Sequence, residues 1–472
     1  MPKKTRKMKQ VTDHGEFYQI NGFNYVCVKG NPMQRGRAFG KFCVNDFKDI
    51  QKMLHFVCEE EYGRSWEFFI DAGKKYLKPT IQKVYPEFYE EMEGLVEGIN
   101  EAGGKTDIDE ILAWNNYYTL LDSWYSTYDD GKKDSSKSKS VKSEGGSKDR
   151  CSAFIATGSW TTDGKIVVAH NSFSNFVDGQ YWNYVLDTTP DKGHRILMQT
   201  CAAWIWSGTD FFVTGAGIIG TETTIGGFLP YENNLPIACR IRHAMQYGDT
   251  LDDYVRILLD GNSGDYANTW LIGDTNTNEI LSLELGLKYH RVERKTDGYI
   301  VSFNSVYDPK IRNLECANSG FNDIRRHQGA RKVRLTDLME QYKGKLNVNL
   351  AKELIADHYD VYLHKINKCA RTVCSHYELD PREFMSQADR PLPFQPRGAM
   401  DGFVTDTNLA RKMTIVGRWG SSCGTPFVVD EFIKKNRQWE QYGPYLHDRP
   451  KEPWTDFTID QKRKKRQSLR KK

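Results

Sequence analysis

Residues 147–171, "SKDRCSAFIATGSWTTDGKIVVAHN", change character in a single step. Up to Arg150 the chain is charged and polar; from Cys151 it turns to strand formers, with "CSAFIATG" and "KIVVAHN" on either side of a "TTDG" turn. β-branched and aromatic residues flanking a short polar turn predict an antiparallel hairpin. Ahead of it, "DDGKKDSSKSKSVKSEGGSKDR" (129–150) holds one hydrophobe, Val141, and is expected to be a flexible linker that cannot pack.

A cysteine placed first on a strand, directly after such a linker, poses a chemical question. A thiol is a strong nucleophile only as thiolate, and a strand cysteine ordinarily has no base beside it. Cleavage between Arg150 and Cys151 would supply one. Cys151 would then carry its own α-amino group, whose usual pKa of about 7.7–8 suits it to take the thiol proton near neutral pH. The linker would act as the end of a propeptide that reaches the site, is cut and moves away without unfolding the core. The plain structural alternative is a small buried hydrophobe at the start of a strand.

Outward from the hairpin the chain divides into segments. Residues 1–19 are expected to be a basic disordered tail, and 20–128 a mainly helical part. There "YPEFYEEMEGLVEGINEAGG" sets Phe88, Met92, Leu95, Val96 and Ile99 on one face, and Thr106 is the expected N-cap of the next helix. After the linker, 151–450 is expected to be the catalytic part, rich in strands to about residue 310. Helical patterns return in "GARKVRLTDLMEQY" and "NLAKELIADHYDVYLHKI", and the region after residue 397 reads as extended again. Residues 451–472 are expected to be a second basic tail. Strand-rich sequence between helix-rich sequence predicts an α+β protein with sheets held between helical layers.

With 472 residues, 39% of them hydrophobic, the chain can bury a large core. It has no membrane-length apolar run and no apolar stretch behind its basic start, so the expectation is a cytoplasmic protein. Ten scattered cysteines suit a reducing compartment. Residues 1–10 and 462–472 carry thirteen Lys and Arg; removing those from the net +4 leaves the body at −9. Basic ends on an acidic body suit weak association with an anionic membrane, although solvated tails need no partner. There is no nucleic-acid recognition motif, so a binding role of that kind would lie in the tails.

Competing motifs are weaker. "GSSCG" (420–424) spells a nucleophile elbow around Ser422, but "TPFVV" follows where an elbow needs a helix. His358, His364, Cys369, Cys374 and His376 lie close in sequence without a C-x₂-C pair, and no metal is expected. No phosphate-binding glycine loop is present, and no cofactor is expected.

The chain resembles the N-terminal nucleophile hydrolases of the C45 acyltransferase/peptidase group, and within them the phospholipase B-like family. The resemblance runs over residues 20–445. It is carried by "GNPMQRGRAFGKF" (30–42), "EMEGLVEGINEAG", "ILAWNNYYTLLD", the hairpin itself, "GAGIIGTETTIGGF" (215–228), "ANTWLIGDTNTNEILSLELGLKYHRVERKTDGYIVSFN" (267–304) and "DHYDVY" (357–362). It implies a four-layer αββα sandwich, self-cleavage at Arg150–Cys151 into two associated fragments, and hydrolysis of acyl ester or amide bonds of lipids through a Cys151 thioester. It further implies that Asn304 supplies an oxyanion donor and that an arginine follows, best matched by Arg331 over Arg325 and Arg326. His170 stands where many amidases of the superfamily carry an Arg and an Asp on the second hairpin strand, and the resemblance to the phospholipase B-like branch implies a catalytic part for it, orienting the Cys151 amine or contacting substrate. Asn171, Glu222, Thr223 and Thr224 are the expected substrate contacts. The alternatives are an amidase or acyltransferase of the C45 type, or a non-catalytic protein that keeps the fold and associates with membrane or nucleic acid.

Overall fold

The computed structural model describes residues 7–128, 151–208, 211–317, 319–383 and 392–458. The linker 129–150, residues 1–6 and the end beyond 458 lie outside them, so the expectations for the linker and the outer tails fall there too.

The predicted hairpin forms from strands β4 (Cys151–Thr157) and β5 (Val167–Asn175), with Cys151 opposite Ser172, Ser152 opposite Asn171 and Ala153 opposite His170. Both strands are buried at every position, which is why their sequence reads as a continuous strand-forming run rather than an alternation. Successive side chains still point to opposite faces. Ala153, Ile155, Ile166 and Val168 join one apolar core, while Phe154, Ala156, Val167 and Ala169 join another.

The first core fills the space between two sheets and continues beneath the N-terminal helices, with Phe39, Phe47, Leu95 and Ile99 among its members. One sheet has ten strands, in the spatial order β1 (Lys7–Thr12), β2 (Gly15–Ile20), β3 (Phe23–Gly30), β6 (Tyr184–Pro190), β7 (Ile196–Thr200), β8 (Phe211–Thr214), β9 (Ile218–Thr224), β10 (Asn268–Asp274), β11 (Glu279–Leu285) and β12 (His290–Lys295). Only β3 and β6 run parallel. The hairpin sits in the second sheet, ordered β13 (Gly298–Ser302), β4, β5, β17 (Asp401–Asp406), β18 (Ile415–Trp419) and β19 (Thr455–Phe457), with β16 (Arg397–Ala399) extending β5. Strands β14 (Tyr359–Asp360) and β15 (Lys365–Ile366) form a separate small ribbon. A methyl group on Gly273 of β10 would come within 3.1 Å of both Ile155 and Ile166, so the sheets approach closely beside the hairpin.

Helices cover the outer faces. Pro32–Tyr62 packs on β3 and begins with a capping box, in which Asn31 accepts from the Gln34 N–H and the Gln34 side chain from the Asn31 N–H. It lies against Pro86–Glu101 at a distance only glycine allows: a Cβ on Gly36 would stand 2.0 Å from the Glu91 carbonyl oxygen, and one on Gly98 2.1 Å from that of Arg37. This contact explains the glycines of "RGRAFG" and "GLVEG". Beside it Glu91 bonds Arg35 at 2.7 Å and Arg242 at 3.0 Å, all three side chains buried. Burial pushes Glu91 up, but Arg242 and Arg35 outweigh it and hold the carboxyl below its ordinary range. On the other outer face, Leu335, Leu338 and Met339 of helix His327–Gln341 and Ala351 and Leu354 of helix Val348–Leu354 cover the second core.

The α+β class therefore holds, and some boundaries move. Residues 7–19, expected within the basic tail, form β1 and most of β2, and Phe17 is buried; the charge count concealed a strand. Thr455–Phe457, expected in the second tail, pairs with β18. The helical pattern at "NLAKELIADHYDVYLHKI" stops at Leu354, because Asp357 accepts from the Tyr359 N–H and Asp360 from those of Tyr362 and Leu363. These side-chain bonds favour turns over helix. Asp107, rather than Thr106, caps the helix that follows, accepting from the Glu110 N–H at 2.9 Å.

Candidate active site

Cys151, the first residue of β4, is 1% exposed. Strand β13 runs beside β4 with Ser302 opposite Ala153, and two residues later Asn304 adopts a left-handed backbone with φ 63°. Asparagine tolerates that conformation better than most residues. Its Oδ1 accepts from the Cys151 main-chain nitrogen at 3.2 Å, and its Nδ2 donates to the Thr224 carbonyl at 2.7 Å. An amide nitrogen carries two hydrogens, so the second remains to donate elsewhere.

Arg331 completes the group from the outer helical layer. Wholly buried, it donates through Nη2 to Asn304 Oδ1 at 2.7 Å and through Nη1 to Ser152 Oγ at 3.1 Å and to the Cys151 carbonyl. Nε donates to the His327 carbonyl one turn back in its own helix, at 3.1 Å. Of the three arginines weighed from sequence, Arg331 is the one brought to Cys151 and Asn304. Arg325 is half-exposed and pairs with Asp323, and Arg326 is the residue preceding the helix. A guanidinium here puts positive charge beside the Cys151 carbonyl and the Asn304 side-chain oxygen.

Asn171 lies on the opposite face of the hairpin from Cys151. Its Oδ1 accepts from the Ser152 N–H, and its Nδ2 faces the carbonyls of Ile355 and Val373 and the Ser422 hydroxyl at 2.9, 3.1 and 3.2 Å. Its polar atoms are spent on protein partners, so it holds the strand instead of meeting substrate, contrary to the expectation. Ser422 donates to the Ile355 carbonyl in the same network, and its part is structural.

His170 is wholly buried on the inner face of the second sheet, its ring 6.5 Å from that of Phe211 on β8 of the first. Burial pushes its imidazole down to about 3, against a smaller upward pull from the Glu222 backbone, so it stays neutral at working pH. Thr223 Oγ1 stands 2.5 Å from Ser302 Oγ and joins the two sheets beside Asn304. Glu222 projects to the other face of β9, where it accepts from the Tyr266 hydroxyl at 3.0 Å. Of the expected contacts on β9, Thr223 and the Thr224 carbonyl belong to the Cys151–Asn304 group, and the Glu222 side chain is turned away from it.

Asp401 was not legible from sequence. On β17, it accepts from the Ser172 N–H at 2.9 Å and from Gln199 Nε2 at 2.6 Å. A buried carboxylate thus holds the residue directly opposite Cys151, although neither hairpin strand carries an acid. A cavity of about 550 Å³ between β12, β13 and helix His327–Gln341 is lined by Arg291, Lys295, Tyr299 and Lys332, and Cys151 is not among its lining residues. Elsewhere His358, Cys374, His376 and Cys423 gather, their donor atoms all within 4.8 Å of one another. Sequence spacing pointed away from a metal because the fourth member comes from a distant turn.

No protein-family model matches the chain. It is 28% identical over 141 residues to the putative phospholipase B-like 2 of Bos taurus, a match covering 26% of this chain and 24% of that one. The likeness is distant and partial. A second match, to an uncharacterized protein of Archaeoglobus fulgidus, is 24% identical over 263 residues, 55% of this chain and 40% of the relative. The chain spans less than half the length of either curated relative. Among the described residues no helix is long and apolar enough to cross a membrane.

Proposed function

We propose that this chain is an acyl hydrolase of phospholipase B-like type, activated by cleavage before Cys151 and acting on acyl ester or amide bonds of lipids. The observation that carries the reading is the hold on one residue: Asn304 Oδ1 on the Cys151 nitrogen, Arg331 on the Cys151 carbonyl, and both on each other. A structural cysteine at a strand end needs no such arrangement around its main chain. A nucleophile whose own amine is the base does, because amine and thiol must keep a fixed relation. The partial likeness to a phospholipase B-like protein supports a hydrolase, and the helix–sheet–sheet–helix packing suits the N-terminal nucleophile class.

In the first step the Cys151 thiol attacks the Arg150 carbonyl, the amide C–N bond breaks, and the proton passes to the freed Cys151 amine. Water then hydrolyses the resulting thioester and leaves a free α-amine. In turnover that amine takes the thiol proton as sulfur bonds to the substrate acyl carbon. It returns the proton to the departing alcohol or amine, and water releases the acid. The second Nδ2 hydrogen of Asn304 is the donor for the developing oxyanion, and Arg331 keeps the Asn304 carbonyl oriented.

The test is chemical labelling coupled to turnover. Iodoacetamide is expected to alkylate Cys151 ahead of the nine other cysteines and to stop hydrolysis of a fluorogenic ester or amide of a long-chain acid in proportion. Inactivation that follows another cysteine, or labelling of Cys151 that spares hydrolysis, refutes the assignment.

A further inference from the structure

We propose that His358, Cys374, His376 and Cys423 bind one zinc ion, which ties together the two loops that support the nucleophile strand from behind. Two imidazoles and two thiols within 4.8 Å of one another form an N2S2 donor set. Tetrahedral zinc, with Zn–S near 2.3 Å and Zn–N near 2.0–2.1 Å, separates sulfur from nitrogen by about 3.6 Å. Cys374 Sγ and Cys423 Sγ lie 3.5 and 3.3 Å from His376 Nε2.

The surrounding bonds fit the same reading. His376 Nδ1 donates to Glu378 Oε1 at 2.6 Å, which leaves the Nε2 lone pair facing both sulfurs. A carboxylate behind a ligating histidine sets its tautomer in just this manner. One lone pair can accept from only one of two thiols, whereas a cation satisfies the lone pair and both sulfurs together. Both ring nitrogens of His358 are shielded from solvent without a hydrogen bond, and its ring lies 5.1 Å from that of His376. The Thr425 N–H points at Cys423 Sγ from 3.4 Å, as suits a thiolate. Four protein donors leave no open position, so the ion is structural.

Its place gives it a task. Val373, next to Cys374, accepts from Ser152 Oγ at 3.0 Å and from Asn171 Nδ2, and Ser422, next to Cys423, meets the same amide. Phe173 of β5 packs against Cys374 and Cys423 and lies under the Arg331 guanidinium, 5.2 Å from its ring centre. Two loops far apart in sequence thus converge on Ser152 and Asn171, and an ion joining Cys374 to Cys423 locks them in register. Zinc binding itself does not depend on the chemistry proposed for Cys151.

Metal analysis of the full chain, purified without chelator, is expected to find one zinc per chain. Cys374→Ser and His358→Ala should each lose most of it, while His364→Ala, on a residue outside the cluster, keeps it. Wild-type protein stripped by chelator and given cobalt(II) should develop the visible absorption of a tetrahedral, thiolate-ligated ion, a readout that requires no variant to fold. Stripped protein that binds neither zinc nor cobalt(II) overturns the proposal. So does zinc retained equally by Cys374→Ser and His358→Ala, or a mass lowered by two hydrogens with Cys374 joined to Cys423.

Discussion

Cys151→Ala is expected to leave a single uncut chain with no turnover of a long-chain ester or amide. The substitution removes the sulfur required both for attack on the Arg150 carbonyl and for the acyl-enzyme. Alanine fits the buried position at the end of β4, and the main-chain bonds to Asn304 and Arg331 do not involve the side chain, so the fold should persist. Far-UV circular dichroism like that of the wild type, together with full-length mass and absent hydrolysis, is the expected set of results. A two-fragment product from Cys151→Ala would assign the cut to another agent and remove the thiol from the first step.

Asn304→Ala is expected to lower kcat by about a hundredfold to a thousandfold, the usual cost of one lost oxyanion donor, about 2.7–4 kcal/mol. Because Asn304 has φ 63°, alanine also brings backbone strain of about 1–2 kcal/mol. Asn304→Gly carries no such strain, so a similar loss in both variants ties the effect to the side chain. Asn304→Asp keeps an acceptor for Arg331 and the Cys151 nitrogen, but loses the hydrogens given to the Thr224 carbonyl and to the oxyanion. It should be impaired as badly, since a carboxylate would face developing negative charge. A rate near wild type for Asn304→Gly in single-turnover kinetics would take the residue out of the chemistry.

The hairpin was legible because its strand formers and turn are contiguous, and the long helices because their apolar periods and glycines are. Asn304 and Arg331 entered through the resemblance alone; no local signal marks an asparagine two residues past a strand, or one arginine among several. Asp401 escaped notice, and Ser422 entered only through a nucleophile-elbow spelling, because each reaches the hairpin from more than 200 residues away, through strand pairing and loop packing that no local pattern encodes. The Cys374–Cys423 approach is of the same kind, with His376 and Cys423 47 positions apart in sequence. Asn171 shows the opposite failure. It was expected to contact substrate, but alternation along the strand sends its side chain to the face opposite Cys151. The strands in residues 7–20 were hidden because a charge count is blind to pairing.

The most direct test of the account is the intact mass and N-terminal sequence of the purified wild-type protein under denaturing conditions, after incubation at mildly acidic and at neutral pH. Two fragments that copurify are expected, the larger beginning at Cys151. A single chain of full length at both pH values, in a preparation that hydrolyses the long-chain ester, would contradict it.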